Sequence, residues 1–320
     1  MFLIDFLEEF LIDCKLRGLS KYTIVTYKRN CQLVFRYLEQ YYNVSKLEQL
    51  TKAHLKSYNL YMLDKGLEAG YINTINKSLK SFFNYLVQEG YTTVNTPKQI
   101  PEVKEKIKLY HTFNDEEVQK ILRYYEGKNS YISVRNKTIL SLFFDTGVRV
   151  QELRSIKVSD VYSNFIEVLG KGNKVRALPV SYPLRKQLIK YERTRYDYVK
   201  RVGKHKDPNT IDDYYFLTKS LTQISSNENI QIFIKDVAKK VKVRSIVNPT
   251  CHACRHYYAI KSFTSGKADL FTISHTLGHS NINTTKRYLK GITNDQVINK
   301  ALEFSPLVQL SNDNKPRKRQ

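Results

Sequence analysis

Nine residues near the middle of the chain read Asp145-Thr146-Gly147-Val148-Arg149-Val150-Gln151-Glu152-Leu153. Gly147 is expected to end one helix, because glycine tolerates the left-handed backbone of a helix C-terminus, and Arg149 is expected to begin the next. Glu152 lies one helical turn further on, in the first turn of that second helix. The segment therefore predicts a corner between two helices that holds a guanidinium group in place.

Three further segments each combine a polar side chain with a feature that would position it. Gly170-Lys171-Gly172 places a lysine at the tip of a predicted hairpin. In Pro249-Thr250-Cys251-His252-Ala253-Cys254-Arg255-His256, the side chains of His252 and Arg255 share one helix face. Leu277-Gly278-His279-Ser280 is followed, nine residues after its histidine, by Tyr288. Together with the arginine corner, these segments predict one phosphate-binding site.

This arrangement resembles the tyrosine recombinases, the family of phage integrases and Xer-type chromosome resolvases. The family pattern is a T-G-x-R-x-x-E-L box, a hairpin lysine, an H-x-x-R box, an L-G-H box and a tyrosine nine residues after the last histidine. The chain contains all of these in the family's order. The resemblance implies a catalytic set, with Glu152 supporting the first arginine: Arg149, Lys171, His252, Arg255, His279 and Tyr288.

The resemblance also implies a role for each of these groups in DNA cleavage. Negative charge develops on the phosphate oxygens during attack, and arginine suits it because a guanidinium stays charged and binds phosphate through two parallel bonds. His279 would donate a further hydrogen bond. Tyr288 would form a 3′-phosphotyrosine, His252 would take or relay its proton, and Lys171, or alternatively Lys174, would protonate the departing 5′-oxygen. No metal, ATP or other cofactor is then required.

Hydrophobic periodicity predicts a mainly α protein with a small antiparallel β-sheet. Four helices are expected in a core-DNA-binding domain at residues 1–92: residues 3–17, a helix capped by Ser20, a helix capped by Thr51 that runs to Gly66, and residues 71–88. A proline- and charge-rich linker is expected at 93–111 and a mostly helical catalytic domain at 112–304. A capping box of Asn114 and Glu117 is expected to open this domain, with strands at 164–169 and 175–180 and a helix at 181–195. Residues 305–320 are expected to form a basic, flexible tail.

Charge favours a polyanionic partner, because Lys and Arg number 53 against 30 Asp and Glu, for a net charge of +23. No apolar run reaches the roughly 18 residues of a spanning helix, so double-stranded DNA is preferred to a membrane surface, and a cytoplasmic location is expected. Four scattered cysteines do not suggest a disulfide framework. Cys251 and Cys254 lack the second ligand pair of a structural zinc site, so we interpret them as ordinary thiols.

The function expected from this resemblance is site-specific recombination through a Holliday junction. The protein would be a monomer in free solution and a tetramer on two synapsed sites. The extra length at residues 190–215 and an amino-acid composition typical of AT-rich coding sequences favour a mobile-element integrase over chromosome dimer resolution. Two alternatives remain, a type IB topoisomerase-like enzyme and a DNA-binding module without catalysis. A predicted helix at 293–303 would dock on a neighbouring protomer or cover its own core.

Overall fold

The computed structural model describes residues 2–105, 111–170, 174–204, 211–265, 268–278 and 281–289. The chain divides into two compact units between Lys108 and Leu109. Both are mainly helical, and the strands found in the described ranges form one two-stranded antiparallel sheet, which confirms the predicted fold class. Among the described helices, none is both long enough and apolar enough to cross a bilayer.

Four helices form the first unit: α1 (Leu3–Leu16), α2 (Lys21–Tyr42), α3 (Lys52–Asp64) and α4 (Ala69–Gln88). The two predicted caps are present. Ser20 Oγ accepts the Thr23 amide at 3.2 Å, and Thr51 Oγ1 accepts the His54 amide at 3.4 Å. Such caps satisfy amides that have no partner within the helix. The apolar stripes of the four helices meet in a single buried core.

The described part of the expected linker at 93–111, which extends to Glu105, packs against the first unit. Pro97 and Ile100 are buried. The Asn73 side chain donates to the Val103 carbonyl and accepts from the Val103 amide, both at 2.9 Å. A proline in the first turn of a short helix loses no hydrogen bond, so it does not prevent packing.

In its described ranges, the second unit contains eight α-helices and one two-stranded sheet. The helices are α5 (Asp115–Arg123), α6 (Tyr131–Thr146), α7 (Val150–Ser155), α8 (Tyr182–Gly203), α9 (Asn227–Lys240), α10 (Cys251–Thr264), α11 (Leu270–Leu277) and α12 (Ile282–Leu289). The predicted capping box opens α5, with Asn114 Oδ1 accepting the Glu117 amide at 2.8 Å and Glu117 Oε2 accepting the Asn114 amide at 2.9 Å. Helix α6 packs between α8 and α10 at the centre of the unit.

The predicted hairpin is formed by β1 (Phe165–Leu169) and β2 (Val175–Pro179). Phe165 lies opposite Pro179 and Leu169 opposite Val175, and the Gly170 amide donates to the Lys174 carbonyl at 2.8 Å. Side chains alternate between core and solvent along each strand, as a one-sided sheet requires. The hairpin tip, with Lys171, lies outside the described residues.

Most of residues 190–215 has a structural role within the second unit. Helix α8 continues to Gly203, beyond its predicted end at 195. Tyr191 is fully buried and donates to the Tyr215 carbonyl at 2.8 Å, while Arg195 binds the carbonyls of Tyr214 and Tyr215. These contacts attach the described part of the segment to the core of the second unit. The predicted helix at 293–303 and the predicted tail at 305–320 lie outside the described residues.

Candidate active site

The corner between α6 and α7 is shaped by Gly147, as its sequence predicted. The residue has φ +61° and ends α6. A Cβ at this position would lie 2.5 Å from Tyr258 Cδ1 and 2.8 Å from Leu277 Cδ2. Only glycine combines the left-handed backbone with this close approach. The corner is therefore pressed against α10 and α11, which bring the other predicted segments to it.

Arg149 and Glu152 form a local pair at the start of α7. Glu152 Oε2 accepts the Arg149 amide at 2.9 Å, and Oε1 accepts from Arg149 Nη1 at 2.8 Å. Arg149 Nη2 also donates to the carbonyl of Gly278 at 2.9 Å. The Arg149 side chain is 35% exposed, whereas that of Glu152 is 4% exposed. The carboxylate is thus buried beneath a guanidinium group that still faces solvent.

Arg176 is a further residue of this site that the sequence interpretation missed. From β2, its Nη1 and Nη2 donate to the two carboxylate oxygens of Glu152 at 2.6 and 2.9 Å, and its Nε donates to the Thr276 carbonyl at 3.1 Å. A signal was available in the strand pattern. Arg176 shares its face of β2 with the buried Leu178, and a charged side chain on an inward face needs a buried partner.

Glu152 is held as a carboxylate by its two arginines. Burial by itself would raise the pKa of this group. Hydrogen bonds and charge from Arg176, followed by the bonds from Arg149, outweigh burial and bring the pKa of Glu152 below its ordinary value. At neutral pH the site therefore contains one negatively charged carboxylate, that of Glu152, and three positively charged arginines, Arg149, Arg176 and Arg255.

Arg255 lies on α10 and is buried, with 3% of the residue exposed. Its Nη1 donates to the Gly147 carbonyl at 2.5 Å and its Nη2 to the Leu277 carbonyl at 2.7 Å. Burial, reinforced by the charge of Arg149, lowers the pKa of Arg255 to about 10, and Tyr288 acts in the opposite sense. Arg255 therefore remains protonated at neutral pH. Arg149 and Arg255 bind consecutive carbonyls at the end of α11.

Tyr288, on α12, is 6% exposed and packs with Ala259, Ile273 and Leu277. Its ring centroid lies 5.4 Å from that of His252 and 4.0 Å from that of His256, where the two rings meet edge to face. The structure thus brings the predicted nucleophile to both the predicted proton acceptor and Arg255, whose pKa it affects.

The two histidines of this cluster are held in the neutral form. His252 keeps an exposed edge, but the loss of water around its ring lowers its pKa, and the charge of Arg255 lowers it further. His256 is buried, and burial, together with His252 and Arg255, lowers its pKa to about 3. Sequence interpretation did not select His256, although it directly follows Arg255 in the same motif.

Lys171 and His279 lie outside the described residues, but the residue before each contributes to the site. A Cβ at Gly170 would lie 3.6 Å from Glu152 Oε1. Gly278 has φ +65°, and a Cβ there would lie 2.8 Å from Arg176 Nη1. The base of the hairpin and the end of α11 therefore both lie beside the Glu152–Arg176 pair.

The thiols of Cys251 and Cys254 are both buried on α10. Burial raises the pKa of Cys251 to about 12 and raises that of Cys254 well above its usual value. Within the described ranges, no three His, Cys, Asp or Glu side chains are grouped so that they could hold a metal ion. Protonated core thiols are poor metal ligands, because the thiolate is the binding form.

Known proteins match both units. The phage integrase family matches residues 111–294, and the N-terminal SAM-like domain of phage integrases matches residues 5–90. Tyrosine recombinase XerD of Rickettsia bellii (strain RML369-C) is 31% identical over 319 residues, covering 96% of this chain and 98% of that protein.

Solved structures have the same fold. The XerH site-specific recombinase bound to a palindromic difH substrate has a TM-score of 0.71 at 20% identity, over 90% of this chain and 81% of its own. A lambda integrase dimer bound to a COC′ core site has a TM-score of 0.67 at 19% identity, over 89% and 97%. These likenesses extend through both units.

Proposed function

Because the chain belongs to the phage integrase family of tyrosine recombinases, we propose that it cuts and rejoins DNA one strand at a time through a covalent bond to Tyr288. One observation carries this assignment: Arg149, Arg255 and Tyr288 come from three distant segments and meet at one place. Two guanidinium groups beside a tyrosine are suited to binding a phosphodiester and attacking it.

The reaction is an exchange of one phosphodiester for another. Arg149 and Arg255 bind the non-bridging oxygens of the scissile phosphate and stabilise the charge that develops there. Tyr288 Oη forms a bond to phosphorus, and the bond from phosphorus to the 5′-oxygen breaks. The proton of Tyr288 passes to neutral His252, while Lys171 protonates the departing oxygen and His279 donates to the phosphate. Rejoining is the same sequence in reverse.

The buried position of Tyr288 gives His252 its part in this scheme. A neutral phenol is a weak nucleophile, and it needs a base within reach. The His252 ring is adjacent to that of Tyr288, and its lowered pKa keeps it ready to accept a proton. The neighbouring His256 packs edge to face on the same tyrosine and is the better candidate for holding the ring in place.

We expect the cleavage rate to depend on the neutral form of His252. Since the pKa of His252 is lowered, its neutral form persists to more acidic pH than in an ordinary histidine. The rate of adduct formation should therefore fall only below about pH 6.5, the usual histidine value. Single-turnover rates from pH 4.5 to 8 measure this, with His252→Gln as the variant that should lose the acidic limb. A limb centred above 6.5, or one retained in the variant, would contradict the assignment.

Assembly on DNA is proposed from the family. A solved lambda integrase is a tetramer bound to a Holliday junction. We propose the same arrangement for this chain, with a pair of protomers on each of two DNA sites and a monomer in free solution. The preference for a mobile-element integrase stays a prediction. Likeness to XerD proteins over nearly their full length supports the second candidate, resolution of chromosome dimers.

Metal-free cleavage tests the proposed chemistry. The phosphotyrosine conserves the energy of the broken bond, so neither ATP nor a metal ion is needed for rejoining. We expect the full chain to form a denaturation-resistant adduct on a nicked suicide duplex carrying its cognate site, in EDTA and without ATP. An adduct that requires a divalent metal would contradict the cofactor prediction.

Paired-site plasmids distinguish the alternatives in the same preparation. A recombinase deletes the DNA between two directly repeated cognate sites, whereas a topoisomerase relaxes the plasmid without deletion and a binding module does neither. Plasmids carrying two element ends or two chromosome-terminus sites separate the biological roles, because the substrate that undergoes deletion identifies the natural one.

A further inference from the structure

We infer that Arg176 is a positioning residue for strand cleavage. Its positive charge offsets the negative charge of Glu152, so that the charge of Arg149 remains available to the scissile phosphate. The inference rests on the proposed function and names a residue of the same site. Arg176 itself is 12% exposed and lies beneath the carboxylate, whereas Arg149 is the more exposed of the two arginines.

Two arginines bind the Glu152 carboxylate in different ways. Glu152 receives two side-chain bonds from Arg176, one to each oxygen. From Arg149 it receives one side-chain bond and the backbone amide. Arg149 keeps Nη2 on the Gly278 carbonyl, which fixes the plane of its guanidinium group. Glu152 therefore holds Arg149 through both its backbone amide and its guanidinium group. Arg176 binds the same carboxylate through two parallel hydrogen bonds, one to each oxygen.

Charge explains why a second arginine is needed. Glu152 and Arg149 alone would form a neutral pair, and a neutral pair stabilises a developing phosphate charge much less than a free guanidinium does. With Arg176 present, the negative charge of Glu152 is already offset by the positive charge of Arg176. The three arginines of the site, Arg149, Arg176 and Arg255, then exceed its one carboxylate by two charges. Arg176 contributes one of them without needing to reach the phosphate.

A purely structural role is the competing explanation, because Arg176 also binds the Thr276 carbonyl and lies against Gly278. Loss of Arg176 would then displace the end of α11 and the hairpin base regardless of phosphate charge. The two explanations differ in one measurable respect. An electrostatic contribution depends on the negative charge of the scissile group, and a structural contribution does not.

A substrate with an uncharged scissile group distinguishes the electrostatic explanation from the structural one. Single-turnover cleavage is measured on the nicked suicide duplex and on the same duplex with a methylphosphonate at the scissile position, where a methyl group replaces one charged oxygen. We expect Arg176→Gln to slow cleavage of the phosphate about 10- to 100-fold, the range for losing one charged stabilising contact. On the methylphosphonate the loss should shrink to within about threefold, because less charge develops there. Equal losses on both substrates, or no loss on either, would overturn the inference.

Two further variants protect the test against misfolding. Arg176→Lys keeps the charge and should retain both most of the rate and the wild-type ratio between the two substrates. Arg176→Gln combined with Glu152→Gln leaves no unpaired buried charge, and it should cleave the phosphate faster than Arg176→Gln alone. A double variant no faster than the single one, or a lysine variant as slow as the glutamine variant, would count against a charge-compensating role.

Parallel reactions of the wild-type chain identify which proposal fails. No wild-type adduct on the phosphate duplex would overturn the proposed function, and the role of Arg176 with it. A normal wild-type adduct whose rate does not depend on Arg176, or depends on it equally with both substrates, would overturn the role of Arg176 alone.

Discussion

Tyr288→Phe is expected to lower covalent adduct formation by at least about 10⁴-fold, the scale seen when an enzyme loses its nucleophile. The substitution removes only the hydroxyl that would bond to phosphorus. A phenylalanine ring still packs against His256 and within the cluster of Ala259 and Leu277. The lost hydroxyl also hydrogen-bonds to Arg255, so we expect the melting temperature to fall by a few degrees while the fold is kept. Adduct yield on the nicked duplex is read by denaturing gel, with thermal unfolding measured alongside.

The matched control for this variant is Tyr182→Phe. Tyr182 is 73% exposed at the start of α8 and makes no part of the proposed site. Its variant should form adduct at the wild-type rate. Undiminished adduct from Tyr288→Phe would remove Tyr288 from its assigned role, whatever the control shows.

Gly147→Ala is expected to destabilise the second unit by about 2–4 kcal/mol, through left-handed strain and overpacking together. The new methyl would have to displace Tyr258 on α10 and Leu277 on α11. Because these helices also present Arg255 and its carbonyl partner, we expect cleavage to be impaired even where the variant stays folded. Urea denaturation followed by circular dichroism gives the change in the free energy of unfolding.

Gly127→Ala separates strain from crowding. Gly127 also has a positive φ, +73°, but a Cβ there would meet no atom within 4 Å. Its variant should lose only about 1–2 kcal/mol, the cost of the left-handed backbone alone. If the two variants were destabilised equally, the close packing around Gly147 would not be what requires glycine.

Local features of the fold were predictable because local chemistry determines them. The caps at Ser20, Thr51 and Asn114, the break at Gly147 and the hairpin were each read from residues within a few positions of one another. The same holds for the nearness of His252 and Arg255 on one helix. Resemblance to a family then joined segments that no local rule connects.

Long-range contacts were harder to predict, because they pair side chains that sequence spacing does not relate. Arg176 meets Glu152 across 24 positions, and Asn73 binds the Val103 backbone across 30. The first contact had a weak signal in strand alternation, and the second had none, since an asparagine on a helix is usually solvated. The hydrogen bond from Tyr191 on α8 to the Tyr215 carbonyl is likewise not indicated by helical periodicity.

The most direct test of the central claim is to identify the residue that carries the DNA. The adduct formed on the suicide duplex is digested with protease and nuclease, and the modified peptide is sequenced by mass spectrometry. We predict a nucleotide attached through phosphate to the oxygen of Tyr288, in the peptide that follows Lys286 and Arg287. A nucleotide attached to any other tyrosine, or to a serine, would contradict the account.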